Sequence, residues 1–186
     1  MKKIIITYAV EKEFVDIKID GWEITYVCTG IGKTKAAMKL TKALCEEKPD
    51  LVLNMGTAGT LRHKVGDIFL CDKFIDRDFQ RVNLPGIEFN VSFDSMLSRL
   101  NGEFSLPTAK SGICNTGDSF VTEAASLDGD VVDMEAFALA IVCKEFDVPF
   151  TAVKYVTDII GQNSVKHWED RLADARKGLS DWLHQK

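Results

Sequence analysis

Residues 22–55 read WEITYVCTGIGKTKAAMKLTKALCEEKPDLVLNM, and they decide the fold class. Trp22 to Cys28 alternates apolar and polar side chains, the period of a strand. Thr29-Gly30-Ile31-Gly32 then breaks the pattern with two glycines, the mark of a tight turn. Between Thr34 and Glu47 the repeat lengthens. Ala36, Ala37, Leu40, Ala43 and Leu44 fall on one face, which predicts an amphipathic helix over 34–47. Pro49-Asp50 ends it, and Leu51 to Met55 returns to a strand. Strand, helix and strand in succession are the unit of an α/β layer fold around a central sheet.

The pattern continues outward on both sides. Lys2 to Ala9 is a near-continuous β-branched run, as for a strand buried on both faces. Phe14 to Ile19 alternates as F-V-D-I-K-I. Asp20-Gly21 joins it to Trp22–Cys28, the two-residue link of a hairpin, so the sheet is expected to be mixed. Further strands are predicted over 65–74, 109–114 and 148–156. Met134 to Phe146 is apolar all round, as in a buried helix. Val165, Trp168, Leu172, Ala175, Leu179 and Trp182 recur at spacings of three and four, a second helix with one apolar stripe. Residues 76–108 are the least regular, with a loop around Leu84-Pro85-Gly86 and a short helix near Ser95–Leu100. No repeat or Pro/Gly/Ser linker interrupts the chain, so residues 1–186 are expected to form one domain.

Composition narrows the function. The 186 residues are 46% apolar and 27% charged, the balance of a globular protein. A net charge of −5 without a basic cluster argues against nucleic acid. No apolar run approaches the ~20 residues needed to cross a bilayer. In MKKIIITYAVEKEF, charge returns at Glu11 and no small-residue cleavage site follows, so a first core strand is read rather than a signal peptide. Cys28, Cys45, Cys71, Cys114 and Cys143 are scattered, with apolar flanks and no CxxC pair. Buried free thiols in a reducing compartment, the cytoplasm, are expected. His63, His167 and His184 are not spaced as ligands, so neither a metal nor a cofactor is expected.

Ligands of α/β sheets sit at the carboxyl ends of strands, and small or acidic residues gather there. Gly32-Lys33-Thr34 tempts a phosphate-loop reading, but the Walker spacing needs a glycine where Val27 stands. Asn54-Met55-Gly56-Thr57-Ala58-Gly59 reads as a second small-residue loop. Glu11 and Glu13 follow the first strand, Asp133-Met134-Glu135 opens a helix, and Thr157-Asp158 ends a strand. Each has an ordinary explanation: a solvated loop, a charge at a helix N-terminus, a turn aspartate.

Taken in order, CTGIGKTKAA, KPDLVLNMGTAGTL, KVGDIFLCDKF, GICNTGDSFV, VVDMEAFALAIVCKEFDVPF and VKYVTD resemble the purine nucleoside phosphorylase/uridine phosphorylase family. Within it they are most similar to the 5′-methylthioadenosine/S-adenosylhomocysteine nucleosidases. The resemblance runs from residue 1 to about 184. It implies a three-layer α/β sandwich around a twisted mixed sheet, and cleavage of the N-glycosidic bond of a purine nucleoside, with no cofactor. By resemblance, Glu13 activates water, Asp158 protonates the purine at N7, Phe120 stacks on the base and the Val121 backbone meets its edge. Met134 and Glu135 hold the ribose, Thr57 lies near ribose and water, and Trp168 falls near an aromatic that caps the 5′ group. A homodimer is also implied.

The chemistry calls for these types. Adenine leaves poorly as an anion, so an acid at N7 makes it a neutral leaving group. The oxocarbenium-like sugar must then be met by water from a base. Phosphorolysis would need cations, and Asn54 stands where related phosphorylases of the hexameric bacterial type carry an arginine. Water is therefore the expected acceptor, with phosphorolysis the alternative. A futalosine-type nucleosidase is another, against which Asp158 weighs because those enzymes tend to have Asn there. A nucleoside-binding protein without catalysis is the reading from a different class. Segments 76–109 and 120–133 are shorter than usual in the family, and Gly161 replaces a common aspartate.

Overall fold

The computed structural model describes residues 1–82, 84–121, 127–162 and 164–184, with the side chains of all but residues 164–167. Among the described residues, eight strands form one mixed sheet: β1 (Lys2–Tyr8), β2 (Trp22–Cys28), β3 (Leu51–Thr60), β4 (Ile68–Asp76), β5 (Asn90–Ser92), β6 (Lys110–Thr116), β7 (Val131–Asp133) and β8 (Phe150–Ile159). The helices are α1 (Lys33–Glu46), α2 (Arg77–Val82), α3 (Asp94–Leu97), α4 (Ala136–Glu145) and α5 (Ser164–Leu183). The strand order is β2-β1-β3-β7-β6-β4-β5, and β8 pairs with both β3 and β4. Strands β3, β8, β4, β6 and β7 thereby close into a ring, completed by the antiparallel contact of Gly59 with Val132.

Alternation along the strands builds two cores. Ile5 and Val52 face α1 and α4, packing with Ala36, Leu40, Ala136, Leu139 and Ala140. Ile4, Ile6, Leu51 and Leu53 face the other way, onto Leu179 and Trp182 of α5. This is the expected three-layer α/β arrangement. On the α5 stripe Leu172, Ala175, Leu179 and Trp182 are buried, while the Val165 and His167 side chains lie outside the described residues. Among the described residues no helix is long and apolar enough to cross a membrane.

The hairpin is a misreading. β1 and β2 run parallel, with Lys2 opposite Trp22 and Tyr8 opposite Cys28. Residues 14–19 are not a strand. Their alternation is real, because Val15 and Ile17 are buried in the core under α5, but it reports half-burial and not pairing. The sheet is mixed for another reason: β4 runs antiparallel to β5 and β8. Residues 54–59 are also not a loop. They belong to β3, whose small residues are enclosed by β8. Of the cysteines, Cys71, Cys114 and Cys143 are buried and Cys28 partly so, but Cys45 is exposed on the outer side of α1. Burial pushes the Cys71, Cys114 and Cys143 thiols up, so they are poor nucleophiles.

Helix α5 meets the sheet through Gly178. A Cβ there would lie 2.3 Å from the Tyr155 ring on β8. Glycine inside a helix costs up to about 1 kcal/mol relative to alanine, so only the close approach to β8 explains it. Gly178→Ala regains that propensity but overpacks the interface, which costs about 1–3 kcal/mol. The expected net result is a lower denaturant midpoint. An unchanged or raised midpoint would show that α5 does not rest on Tyr155.

Candidate active site

One pocket is lined by Glu13, Thr57, Phe120, Val121, Met134, Glu135, Asp158 and Trp168, all eight residues singled out from the sequence. Four segments bring them together: the turn after β1, the β3 strand, the run between β6 and α4, and the end of β8 with the start of α5.

Glu13 stands in a 3-10 turn, Glu11–Glu13, and is 4% exposed. Its Oε1 accepts from the Thr57 main-chain N–H at 2.9 Å and from the Thr57 hydroxyl at 2.5 Å. The Val10 N–H reaches Oε2 at 3.4 Å. The Trp168 indole Nε1–H donates to the same Thr57 oxygen at 2.8 Å. Trp168 also meets the Phe120 ring edge-on, centroids 6.4 Å apart.

Asp158, 3% exposed, follows a register shift in β3–β8. Ala58 pairs with Val156, but Gly59 pairs with Asp158, leaving Thr157 as the extra residue. Such bulges re-aim a side chain next to a site. The Thr157 hydroxyl donates to Asp158 Oδ1 at 2.8 Å. A Cβ on Gly59 would come within 2.8 Å of Asp158 Oδ2, so glycine is what lets the carboxyl lie against β3.

Asp133 and Glu135 divide the two roles weighed for the helix start. Asp133 takes the structural one: its Oδ2 accepts from the Ala136 N–H at 2.9 Å and pairs with Lys154 Nζ at 2.7 Å. Its Oδ1 accepts from Thr116 Oγ1 at 2.5 Å. Glu135 faces the pocket, held by the Gly32 N–H at 2.8 Å. The Gly30–Gly32 turn is thus part of the site, but not as a phosphate loop. Lys33 Nζ is bound to Asp76 and Asp78, at 3.0 and 2.7 Å. Burial pushes the Glu135 carboxyl up to about 8, and the negative charge of Asp133 adds to this.

Sequence reasoning missed Arg77. It is 1% exposed and lines the pocket. Nη1 donates to Asn115 O and Oδ1, and Nη2 to Gly117 O at 3.1 Å and Ser119 O at 2.5 Å. Gly117 passes so close that a Cβ would lie 2.7 Å from the guanidinium. Arg77 therefore fixes the loop that carries Phe120 and Val121. Burial lowers its pKa. Asn54 turns toward β1, its amide donating to Thr7 O at 3.2 Å and Thr7 Oγ1 at 3.1 Å. Among the described residues, no cluster suited to a metal ion occurs.

The model of the Phosphorylase superfamily matches residues 6–181. Among solved structures, a 5′-methylthioadenosine/S-adenosylhomocysteine nucleosidase from Neisseria meningitidis, in complex with methylthio-immucillin-A, is 21% identical with a TM-score of 0.80. The match covers 98% of this chain and 97% of that one. The corresponding nucleosidase from Colwellia psychrerythraea, in complex with adenine, is 23% identical with a TM-score of 0.79, covering 98% and 92%. A futalosine hydrolase mutant of Helicobacter pylori is 19% identical with a TM-score of 0.79, covering 98% and 97%. At these identities the likeness is one of fold.

The Glu135 carboxyl sets a pH dependence. Its pKa of about 8 in the folded chain exceeds its ordinary 4.5, so folding takes up a proton between those values. The stability linked to that proton is complete below pH ~4.5 and is lost as pH rises through ~8. Glu135→Gln removes the titration. Melting temperatures followed from about pH 5 to about pH 9 are expected to show the variant gaining on the native protein as pH rises. Parallel curves would give Glu135 an ordinary carboxyl pKa.

Proposed function

The chain belongs to the phosphorylase superfamily, and we propose that it acts within that family as a purine nucleosidase. It hydrolyses the N-glycosidic bond of an adenine nucleoside, such as 5′-methylthioadenosine or S-adenosylhomocysteine, to free base and sugar. One observation carries the proposal. Two buried carboxyls, Glu13 and Asp158, line one pocket, and among the described lining residues the one cation, Arg77, spends both Nη groups on the carbonyls of residues 115–119, leaving only its buried Nε–H without a partner.

Phe120 stacks on the base and Val121 meets its edge, both on the loop that Arg77 fixes. Met134 and Glu135 contact the ribose, with the Glu135 carboxyl, oriented by Gly32, taking its 2′- and 3′-hydroxyls. Asp158 delivers its proton to N7 as the C1′–N9 bond breaks, and the bonding pair leaves with the purine. Glu13 takes a proton from water, whose oxygen bonds to C1′. Each proton transfer is worth about 10²–10⁴-fold. A phosphate in this pocket would meet carboxylates and, among the described residues, a single cation whose Nη groups already serve main-chain carbonyls, at a desolvation cost of several kcal/mol. Water meets no such cost.

A cytoplasmic homodimer completes the proposal. Five free cysteines suit a reducing compartment. Ile31, Met38, Phe79, Val82 and Leu84 are exposed apolar residues, and Ile31 also lines the pocket. A second copy covering them would help to enclose the ligand.

The test is product analysis on a panel of adenine nucleosides, with and without millimolar phosphate. Free base and free sugar are expected at the same rate in both. Asp158→Asn is expected to lose about 10²–10⁴-fold in kcat. Glu13→Gln is expected to lose nearly all turnover while still binding a substrate analogue. A sugar 1-phosphate as main product would assign a phosphorylase. Tight binding with no base release would assign a nucleoside-binding protein.

A further inference from the structure

The resemblance gives Trp168 the task of capping the 5′ group, for which an aromatic ring is enough. The structure gives it a second contact that a ring alone does not provide. The indole Nε1–H lies 2.8 Å from Thr57 Oγ1, which lies 2.5 Å from Glu13 Oε1. An indole N–H only donates, and an ionised carboxylate only accepts. The single hydroxyl proton of Thr57 therefore has one direction to point. The chain runs Trp168 to Thr57 to Glu13 without ambiguity.

Glu13 Oε1 already receives the Thr57 main-chain N–H at 2.9 Å, so two donors anchor that oxygen. Among the described residues the other, Oε2, receives just the Val10 N–H, at a long 3.4 Å. Resting on the nucleosidase reading, we infer that Trp168 is a positioning residue for the general base. Its N–H locks the Thr57 hydroxyl onto Oε1 and so makes Oε2 the oxygen that takes the proton from water. Without that N–H, Thr57 keeps Glu13 as its acceptor but loses the donor that fixes the position of its oxygen, so the short contact to Oε1 loosens. Trp168 also touches the Phe120 ring, so one side chain ties the anchoring of the base to the surface on which the purine stacks.

A double-mutant cycle separates this role from capping. Trp168→Phe keeps the ring and removes the N–H. It is expected to lower kcat about tenfold, the effect of one lost hydrogen bond, with KM within about twofold. The loss should be the same for adenosine and for 5′-methylthioadenosine. In a Thr57→Val background, Trp168→Phe should cost less than about twofold, since the partner is already gone. The indole N–H proton of Trp168, followed by nuclear magnetic resonance, should move upfield in both Thr57→Val and Glu13→Gln. Additive losses, a KM effect confined to 5′-substituted substrates, or an indole signal indifferent to Thr57 would each overturn the positioning role and leave the nucleosidase standing. Absence of base release from the native protein on every nucleoside would overturn both.

Discussion

The buried ion pair between Lys154 and Asp133 holds the site in register. Their side chains are 2% and 1% exposed and 2.7 Å apart. Burial alone would drive each toward its neutral form. The opposing charge reverses this, so the Lys154 pKa is raised and that of Asp133 lowered. The remaining valences of Asp133 are met by Thr116 on β6 and by the first turn of α4. One pair thus clamps β8, β7, β6 and a helix start. A well-packed apolar pair could match its stability, but loss of one partner would strand a buried charge at about 3–5 kcal/mol. Its value lies in orientation: Glu135, two residues beyond Asp133, is delivered to the pocket at a fixed angle.

The same pocket treats its carboxyls differently through their partners. Asp133 takes the cation. Glu13 takes an amide and a hydroxyl of Thr57. Asp158 takes the Thr157 hydroxyl, while Glu135 has a single main-chain N–H and a negatively charged neighbour. Asp133 and Glu135, two residues apart, are thereby driven in opposite directions, the first below and the second above the ordinary carboxyl range.

Much of the architecture is legible from residues 22–55, because a change of period from two to 3.6 is a local signal. The run 14–19 shows the limit of that signal. Alternation records which side chains are buried, and an unpaired extended segment buries Val15 and Ile17 as well as a strand would. Residues 54–59 show the converse. Their glycines and threonine look like a turn, yet enclosure by β8 makes them a strand. Individually the site residues had ordinary explanations, and only their joint order in a family pattern raised them above these. Arg77 had no signal at all. A buried arginine answered by carbonyls from residues 115–119 leaves no complementary charge in the sequence to find.

The closed ring of strands bears on how the protein comes into being. β3 pairs along its whole length with β8, Val52 opposite Phe150 and Thr60 opposite Ile159. Contacts so distant in sequence make folding slow, since the intervening chain must be ordered before they form. During synthesis, Glu13 and Thr57 leave the ribosome long before Asp158 and Trp168. Until β8 arrives, β3 and β4 expose open edges of the kind that recruit other chains. The pocket therefore forms only once β8 has paired with β3 and β4, and until then those open edges are exposed to neighbouring chains.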